Sequence, residues 1–303
     1  MLVGLIYPPP HLNNNKMKTL VFTDNHINLK NLTEQHTLFE EIMSYEADNL
    51  VCIGDYWDRC RPSTLEYLFG INMAKKLKDK YNNVTFIEGN HEAFNTDTSI
   101  LHCLKDLGIK VQKELFLNGV YFTHKMTTLS EMFYENTDYA WVIEEDKLNE
   151  LSLLGHQHCF QQINDKVLQL GSCLWISFSE LKDKFKKIAV VDNEKIEFID
   201  LKSPISMVQV NNIKDLTTIK DKTKVRYLFN SFEQMQNEIN LVNKQKERFY
   251  QFKTKFDFKT KITPLKEKTS FDLNKELSNW LNKIKNEEIK NILKIEINKE
   301  FKI

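Results

Sequence analysis

IGDYWDRCRPS, residues 53–63, places Asp55, Asp58 and Arg59 directly behind the apolar run that begins at Asn49, with Gly54 where the run stops. Carboxylates beside Trp57 are a poor way to continue a strand. The stretch therefore reads as a strand end followed by a loop whose acids hold something.

Four other segments follow the same plan: TLVFTDNH (19–26), NVTFIEGNHE (83–92), GVYFTH (119–124) and LSLLGHQH (151–158). Each is an apolar strand candidate closed by Asp, Asn or His. Between the strand candidates lie helix-like stretches, EQHTLFEEIMSYEA (34–47), STLEYLFGINMAKKLKDKY (63–81) and TSILHCLKDLG (98–108). This alternation predicts an α/β fold. In open α/β sheets the carboxyl ends of the strands line the ligand crevice, so the closing residues should converge on one rim. The steps from Asp24 to Asp55, Asn90, His124 and His156 are 31, 35, 34 and 32 residues, close to the ~30 of a βαβ unit. Asp24 and His26, and again His156 and His158, are two apart and share a side of an extended segment. After the acidic loop, Pro62 is expected in the first turn of the next helix, where its fixed φ suits the chain.

Carboxylates, imidazoles and one amide oxygen, without thiolate, form a mixed donor set suited to Mn, Fe or Zn. Seven donors exceed the needs of one ion, so two ions sharing a carboxylate are expected. Asp55 is the candidate bridge. Asp24, His26 and His158 would complete the first site, and Asn90, His124 and His156 the second. Any one of these residues alone could be a helix cap or a turn residue; five ordered motifs make that reading poor. His36 and His102 lie within helical stretches and are read as surface or core histidines. Cys60 has no helper base near it in sequence and is read as a packed thiol.

The ordered set DxH, GDxxDR, GNHE, a lone His and GHxH resembles the calcineurin-like metallophosphoesterase superfamily over residues 23–158. GDYWDRCRPSTLEYL resembles the GDLFD-x-x-RPS-x-x-x-L segment of the meiotic recombination nucleases and their bacterial SbcD relatives. QLGSCLWISFSELKDKFKKIAVVDNEKIEFIDL (169–201) resembles their region after GHxH, where a GS pair precedes a short Glu-containing segment and two closing strands. Similarity to phage recombination endonuclease subunits is looser. The resemblance implies a four-layer α/β/β/α sandwich with a small C-terminal α+β domain. It implies a metal-dependent phosphodiesterase acting on DNA, an exo- or endonuclease of recombination or repair. Two divalent ions are implied, Mn2+ first, with Fe, Zn or Mg as alternatives. An SbcC-like coiled-coil ATPase is the implied partner, with a homodimer as a further possibility. His91, beside the ligand Asn90, is placed to protonate the leaving oxygen. By resemblance Asp58 orients His91 and Arg59 grips phosphate oxygens. Glu92 has either a contact behind the ligands or the cap of the following helix. GNHE instead of GNHD, and the short path from His91 to His124, instead resemble the protein-phosphatase side of the superfamily. A phosphomonoesterase or Ser/Thr protein phosphatase is therefore the alternative.

The whole chain of 303 residues has 42 basic and 42 acidic side chains. That balance hides an asymmetry, because residues 205–303 hold 21 Lys and Arg against 13 Asp and Glu. An acidic body (17–204) followed by a basic DNA- or partner-binding portion (205–303) is expected, divided near Ser203-Pro204, with residues 1–16 an unstructured leader and Met17 a candidate natural start. Residues 242–268 carry nine Lys or Arg against three acids, interleaved with Phe249, Tyr250, Phe252, Phe256 and Phe258. Such a stretch can neutralise phosphates and stack on bases, or be an amphipathic strand with a solvated lysine face. Leu273, Leu277, Trp280, Leu281 and Ile284 form a helical stripe that would pack on the body or dock a partner. No apolar run approaches the ~18 residues of a membrane helix. Five scattered cysteines fit reduced thiols, so a soluble protein of the cytoplasm, or of the host cytoplasm if phage-encoded, is expected.

Overall fold

The computed structural model describes residues 17–257, apart from 96, 131–140, 145–147 and 149. The leader 1–16 and the Leu273–Ile284 stripe lie outside the described residues, as do Phe258, Lys259 and Lys261.

The five strand candidates form strands, in two different sheets. β1 (Thr19–Phe22), β2 (Asn49–Cys52), β3 (Asn83–Ile87) and β4 (Lys110–Gln112) run parallel, and the helices between them make the crossovers. β5 (Glu114–Leu117), β6 (Val120–Thr123) and β9 (Leu151–Leu154) belong to a second sheet with β10 (Gln161–Gln162) and β11 (Val167–Gln169), in the order β10-β11-β9-β6-β5. Between β6 and β9, β7 (Met126–Thr127) pairs with β8 (Val142–Ile143). β12 (Lys187–Asp192) and β13 (Lys195–Asp200) return antiparallel to β1 and complete the first sheet as β13-β12-β1-β2-β3-β4. Asn193 and Glu194 both have positive φ, as a two-residue turn joining twisted strands requires.

One face of the first sheet packs on α1 (Leu32–Met43) and α2 (Thr64–Lys80) through Phe22, Phe39, Phe86, Leu38 and Leu77. Its other face meets the second sheet through Val21, Val51, Ile53, Phe122 and Leu153. On the outer face of that second sheet, Leu148 packs with Leu154 and Val167, joined by Ile143. α2 begins with a capping box: Glu66 N–H donates to Ser63 Oγ at 3.4 Å, and Ser63 N–H donates to the Glu66 carboxylate at 2.6 Å. Pro62 thus precedes the cap instead of occupying the first turn, since Ser63 takes the capping position. The stretch 98–108 forms a 3-10 helix, Ile100–Leu107, closed by Gly108 at φ +74°.

The chain runs on from β13 into a smaller sheet of β14 (Met207–Val210), β15 (Lys224–Phe229) and β16 (Gln251–Phe256), linked by α3 (Ile213–Thr218) and α4 (Phe232–Gln245). Both pairings are parallel, so residues 207–256 form a βαβαβ unit; the remainder of the small domain expected over 205–303 lies outside the described residues. Parallel pairing follows from a helix between each successive pair of strands. The link at Ser203-Pro204 is held to α1, where Glu41 accepts the N–H groups of Lys202 and Ser203 and Glu34 accepts that of Ile205. One compact unit extends through Asp257. In β16 and the turn before it, Phe249 and Phe252 stack on each other and join the core of the small sheet, while Lys253 and Lys255 are exposed. The solvated-strand reading accounts for those two phenylalanines; they are not presented to bases. Among the described residues no helix is long and apolar enough to cross a membrane, and the five cysteines are free.

Candidate metal centre and active site

The seven candidate ligands come from the carboxyl ends of β1, β2, β3, β6 and β9, so the rim is shared by both sheets instead of lining one. Asp24, His26 and His158 bring one ligand atom each within 4.8 Å of one another, and so do Asp55, His124 and His156. Asn90 joins the second group, its Oδ1 3.1 Å from His124 Nε2 and 2.8 Å from His156 Nδ1. Between the groups lies Asp55 Oδ2, 3.6 Å from His26 Nε2 and 3.3 Å from His124 Nε2. A third group, His26, Asp58 and His91, adjoins the first.

The backbone is bent to reach this geometry. Asp24, His26, Asp55 and His156 have φ of 52°, 50°, 50° and 77°, a region that non-glycine residues visit at a cost. Two glycines make room. A Cβ on Gly54 would lie 2.4 Å from His124 Nδ1, and one on Gly89 would lie 2.2 Å from Asp55 Oδ1. Gly54 at φ +82° is therefore doubly constrained.

The charge pattern is that of a cation site. Burial opposes ionisation of Asp55, but His124 and His26 hold its carboxyl far below the usual range, and Asp24 is lowered in the same way by His124 and His26. Burial pushes the His124 ring down, yet Asp55 and Asp24 outweigh it and raise it to about 9. His156 is taken by burial and by the His124 charge to about 4, which leaves it neutral. His124 donates from Nδ1 to the Ile53 carbonyl at 2.6 Å, so its Nε2 faces the cluster.

A divalent cation fits these residues. Asp24 Oδ1 is buried without a hydrogen-bond partner, 3.8 Å from His26 Nε2 and 3.9 Å from His158 Nε2. Those two ring nitrogens face each other at 3.0 Å. One orphaned carboxylate oxygen and two imidazole nitrogens directed at a common point, with no thiolate, are a donor set for a borderline-hard ion.

Around the ligands, His91 is half-exposed and donates from Nδ1 to the main-chain carbonyl of Asp58 at 2.8 Å, leaving Nε2 4.0 Å from Asp55 Oδ2. It is the backbone of Asp58 that meets the His91 ring, while its carboxylate lies 3.3 Å from His26 Nδ1 without hydrogen-bond alignment. Arg59 is exposed, its guanidinium 3.8 Å from both Asp58 and Glu66. Glu92 is fully buried and takes the N–H groups of Asp55, Gly89 and Trp57 at 3.1, 3.0 and 2.9 Å. It ties the β2 and β3 loops together and sits behind the ligands. Burial and the Asp55 charge push it up to about 8, against the pull of those donors. His36 pairs with Glu40 and His102 with Glu88, and neither joins a ligand group. Sequence reasoning missed Trp141, whose ring meets His124 edge-on at 6.0 Å, since nothing near it in the chain marks it. It also left Glu180 without a role, although its carboxylate accepts from His158 Nδ1 at 3.2 Å.

A profile of the calcineurin-like phosphoesterase superfamily domain matches residues 17–190. Among curated proteins none matches. Three solved structures are similar. Nuclease MPE of Pseudomonas putida is 16% identical at TM-score 0.34, covering 60% of this chain and 87% of its own. The phosphoesterase Yfce of E. coli is 16% identical at TM-score 0.34, covering 61% and 100%. Vacuolar protein sorting 29 from Cryptosporidium parvum is 16% identical at TM-score 0.36, covering 62% and 92%. The profile spans more than half of the chain and contains all seven residues of the two clusters, so this protein belongs to the calcineurin-like phosphoesterase superfamily and is a metal-dependent phosphoesterase.

Proposed function

We propose that the protein is a two-metal phosphodiesterase that cuts DNA, in the manner of an SbcD-like nuclease subunit working with a coiled-coil ATPase. The observation that carries the choice of a polymer is the surrounding of Asp58. This residue belongs to the His26–Asp58–His91 group and also lines a cleft of about 710 Å³ between the body and the small sheet. Lys30, Arg59, Arg61 and Lys253 line that cleft, together with Trp175 and Tyr250, while Lys224 in its wall is paired with Glu34 and Glu66 lies beside Arg59. A chain of phosphates leaving the metal rim would meet cations at once.

Asp24, His26 and His158 would hold one divalent cation, Asn90, His124 and His156 a second, with Asp55 shared and Mn2+ the first choice. Cations bound there supply Lewis acidity, which lowers the pKa of water and neutralises phosphate charge. His91 delivers a proton from Nε2 to the departing ester oxygen, since its Nδ1 is engaged with the Asp58 carbonyl. Arg59, tethered between Asp58 and Glu66, takes non-bridging phosphate oxygens.

Digestion of linear DNA with Mn2+, compared with hydrolysis of p-nitrophenyl phosphate, tests this reading. DNA should be cut efficiently, and changing Lys30, Arg61 and Lys253 to Gln should weaken DNA binding. The log–log salt slope should fall by about 0.9 for each phosphate that is no longer neutralised. Hydrolysis of the small ester should be unaffected by those changes. Rapid ester hydrolysis with intact DNA would assign a phosphomonoesterase instead.

A further inference from the structure

Glu180 and Lys186 form a buried ionic pair directly behind one of the candidate ligands. Lys186 is 2% exposed, and a buried lysine requires partners on every side. Its three N–H groups serve the Glu180 carboxylate at 2.7 Å, Asp183 at 2.9 Å and the main-chain carbonyl of His158 at 2.9 Å, with Ser172 Oγ a longer neighbour at 3.1 Å. The lysine thus grips both the backbone of His158 and the carboxylate that faces its ring.

Every acceptor position of Glu180 is used. Oε1 takes His158 Nδ1 at 3.2 Å and Ser177 N–H at 2.8 Å. Oε2 takes Lys186 Nζ, Ser172 Oγ at 3.0 Å and Ile176 N–H at 3.2 Å. A carboxylate that already takes the Lys186 ammonium and the N–H groups of Ile176 and Ser177 is ionised and acceptor-only, so the proton in the His158–Glu180 contact sits on Nδ1. With its proton on Nδ1, the neutral form of the ring presents a bare Nε2, the atom that faces His26 Nε2 at 3.0 Å. For His124 the same service comes from a main-chain carbonyl; for His158 it comes from a side chain and can be altered.

We propose that Glu180 is a positioning residue for the metal centre: clamped by Lys186, Ser172 and the turn at Ser177, it holds His158 in the Nδ1–H tautomer and presents Nε2 to a divalent cation. The inference rests on the reading of His158 as a ligand. It also gives a role to the segment GSCLWISFSE, since Gly171 leads into Ser172 and the short helix Phe178–Glu180 ends on the carboxylate.

Replacement by glutamine makes the argument sharp, because an amide must direct its NH2 group either at Lys186, Ser172 and Ile176 or at His158 and Ser177. Facing an ammonium is the worse choice, so the amide turns toward His158, Nδ1 becomes the acceptor and the proton moves to Nε2. Two measurements test this. In ring-15N-histidine spectra of the metal-free wild-type protein, with His158 assigned by its loss in His158→Asn, His158 should show the Nδ1–H tautomer; Glu180→Gln should show Nε2–H. In calorimetric titration with Zn2+, the wild-type protein should bind at two classes of site. Glu180→Gln should weaken one of them by roughly 10–100-fold, the range for a lost partner behind a ligand, and spare the other. Ser172→Ala removes a hydrogen bond from the same network without touching His158 Nδ1 and should retain both classes, which separates positioning from general loosening. An Nε2–H tautomer in the wild type overturns the proposal even if Glu180→Gln fails to fold. So does a folded Glu180→Gln that binds Zn2+ as the wild type does. A wild-type protein that binds no Zn2+ yet shows Nδ1–H at His158 would overturn the metal reading and leave the positioning contact standing.

Discussion

Replacing Lys224 with Met should destabilise the protein at pH 8 by roughly 3–5 kcal/mol, the cost of leaving a buried charge without its partner. Lys224 is 4% exposed and Glu34 2%. The ammonium lies 2.7 Å from Glu34 Oε2, 3.0 Å from Oε1 and 2.8 Å from the Trp175 carbonyl. These contacts fasten the small sheet to α1 on one side of the cleft. Burial, the largest influence on each partner, raises Glu34 and lowers Lys224, so each is pushed toward its neutral form; their pairing is the main resistance, helped by the Ile205 N–H on Glu34 and the Glu180 charge on Lys224. Without Lys224 the Glu34 carboxyl rises further. A carboxyl whose folded value is raised contributes stability while it is protonated, below its unfolded value, and loses that contribution as pH rises through the folded value. The loss in Lys224→Met should therefore be small near pH 4 and complete at pH 8. Changing Glu34 to Gln as well removes the charge while keeping an acceptor for the Ile205 N–H, so the double variant should recover to within about 1–2 kcal/mol of the wild type. Urea unfolding followed by tryptophan fluorescence at both pH values measures all of this. A loss below about 1 kcal/mol at pH 8, or an equal loss at pH 4, would refute the argument that an isolated buried carboxylate is the cause.

Asp55→Asn should abolish hydrolysis of every substrate by more than about 100-fold, beyond the range for partners behind a ligand, and lower metal content, because Asp55 Oδ2 reaches both clusters; metal analysis and turnover check it, and full metal content with normal turnover would remove the shared-carboxylate assignment. His91→Ala should slow cleavage by roughly two to four orders of magnitude while metal binding persists. The defect should shrink on esters with good leaving groups, and loss of metal from this variant would make His91 a ligand.

The candidate ligands could be picked out because each donor closes an apolar strand, and strand ends are the positions that periodicity locates best. TDNH, IGD, GNH, FTH and GHQH all lie where the parallel strands of two sheets open. What spacing could not reveal was the division of those strands, since β6 and β9 have the same apolar pattern as β1 to β3, and pairing partners are decided by packing. The role of Asp58 was illegible for a different reason: its useful atom toward His91 is a carbonyl oxygen, and no side chain reports on that. Phe249 and Phe252 looked like part of a base-stacking series, yet one at a turn and one in the following strand stack on each other and serve a small core equally well. The Glu180–Lys186 pair was hidden by burial, because a lysine in KFKKIAVV reads as a solvated end of a strand until the fold surrounds it.

Four strained residues at one rim have a common explanation in the surrounding bonds. Residues at positive φ cost on the order of 1–3 kcal/mol each and persist only where neighbours over-determine them. Here they hold one another: Asp24 N–H donates to the Gly54 carbonyl at 3.1 Å and His26 N–H to the Asp55 carbonyl at 2.9 Å. His156 N–H donates to Asp24 Oδ2 at 3.1 Å, and Asp55 N–H donates to Glu92 at 3.1 Å. Strain is therefore shared between the β1, β2 and β9 loops, with Glu92 bracing β2 against β3. Glu92 is the outer support of that lattice, because one carboxylate replaces three separate main-chain acceptors. An aspartate at this place has one methylene less with which to span Gly89, Asp55 and Trp57. The glutamate of GNHE is thus explained by the reach that the brace requires, and it says nothing about whether the ester being cleaved is a monoester or a diester.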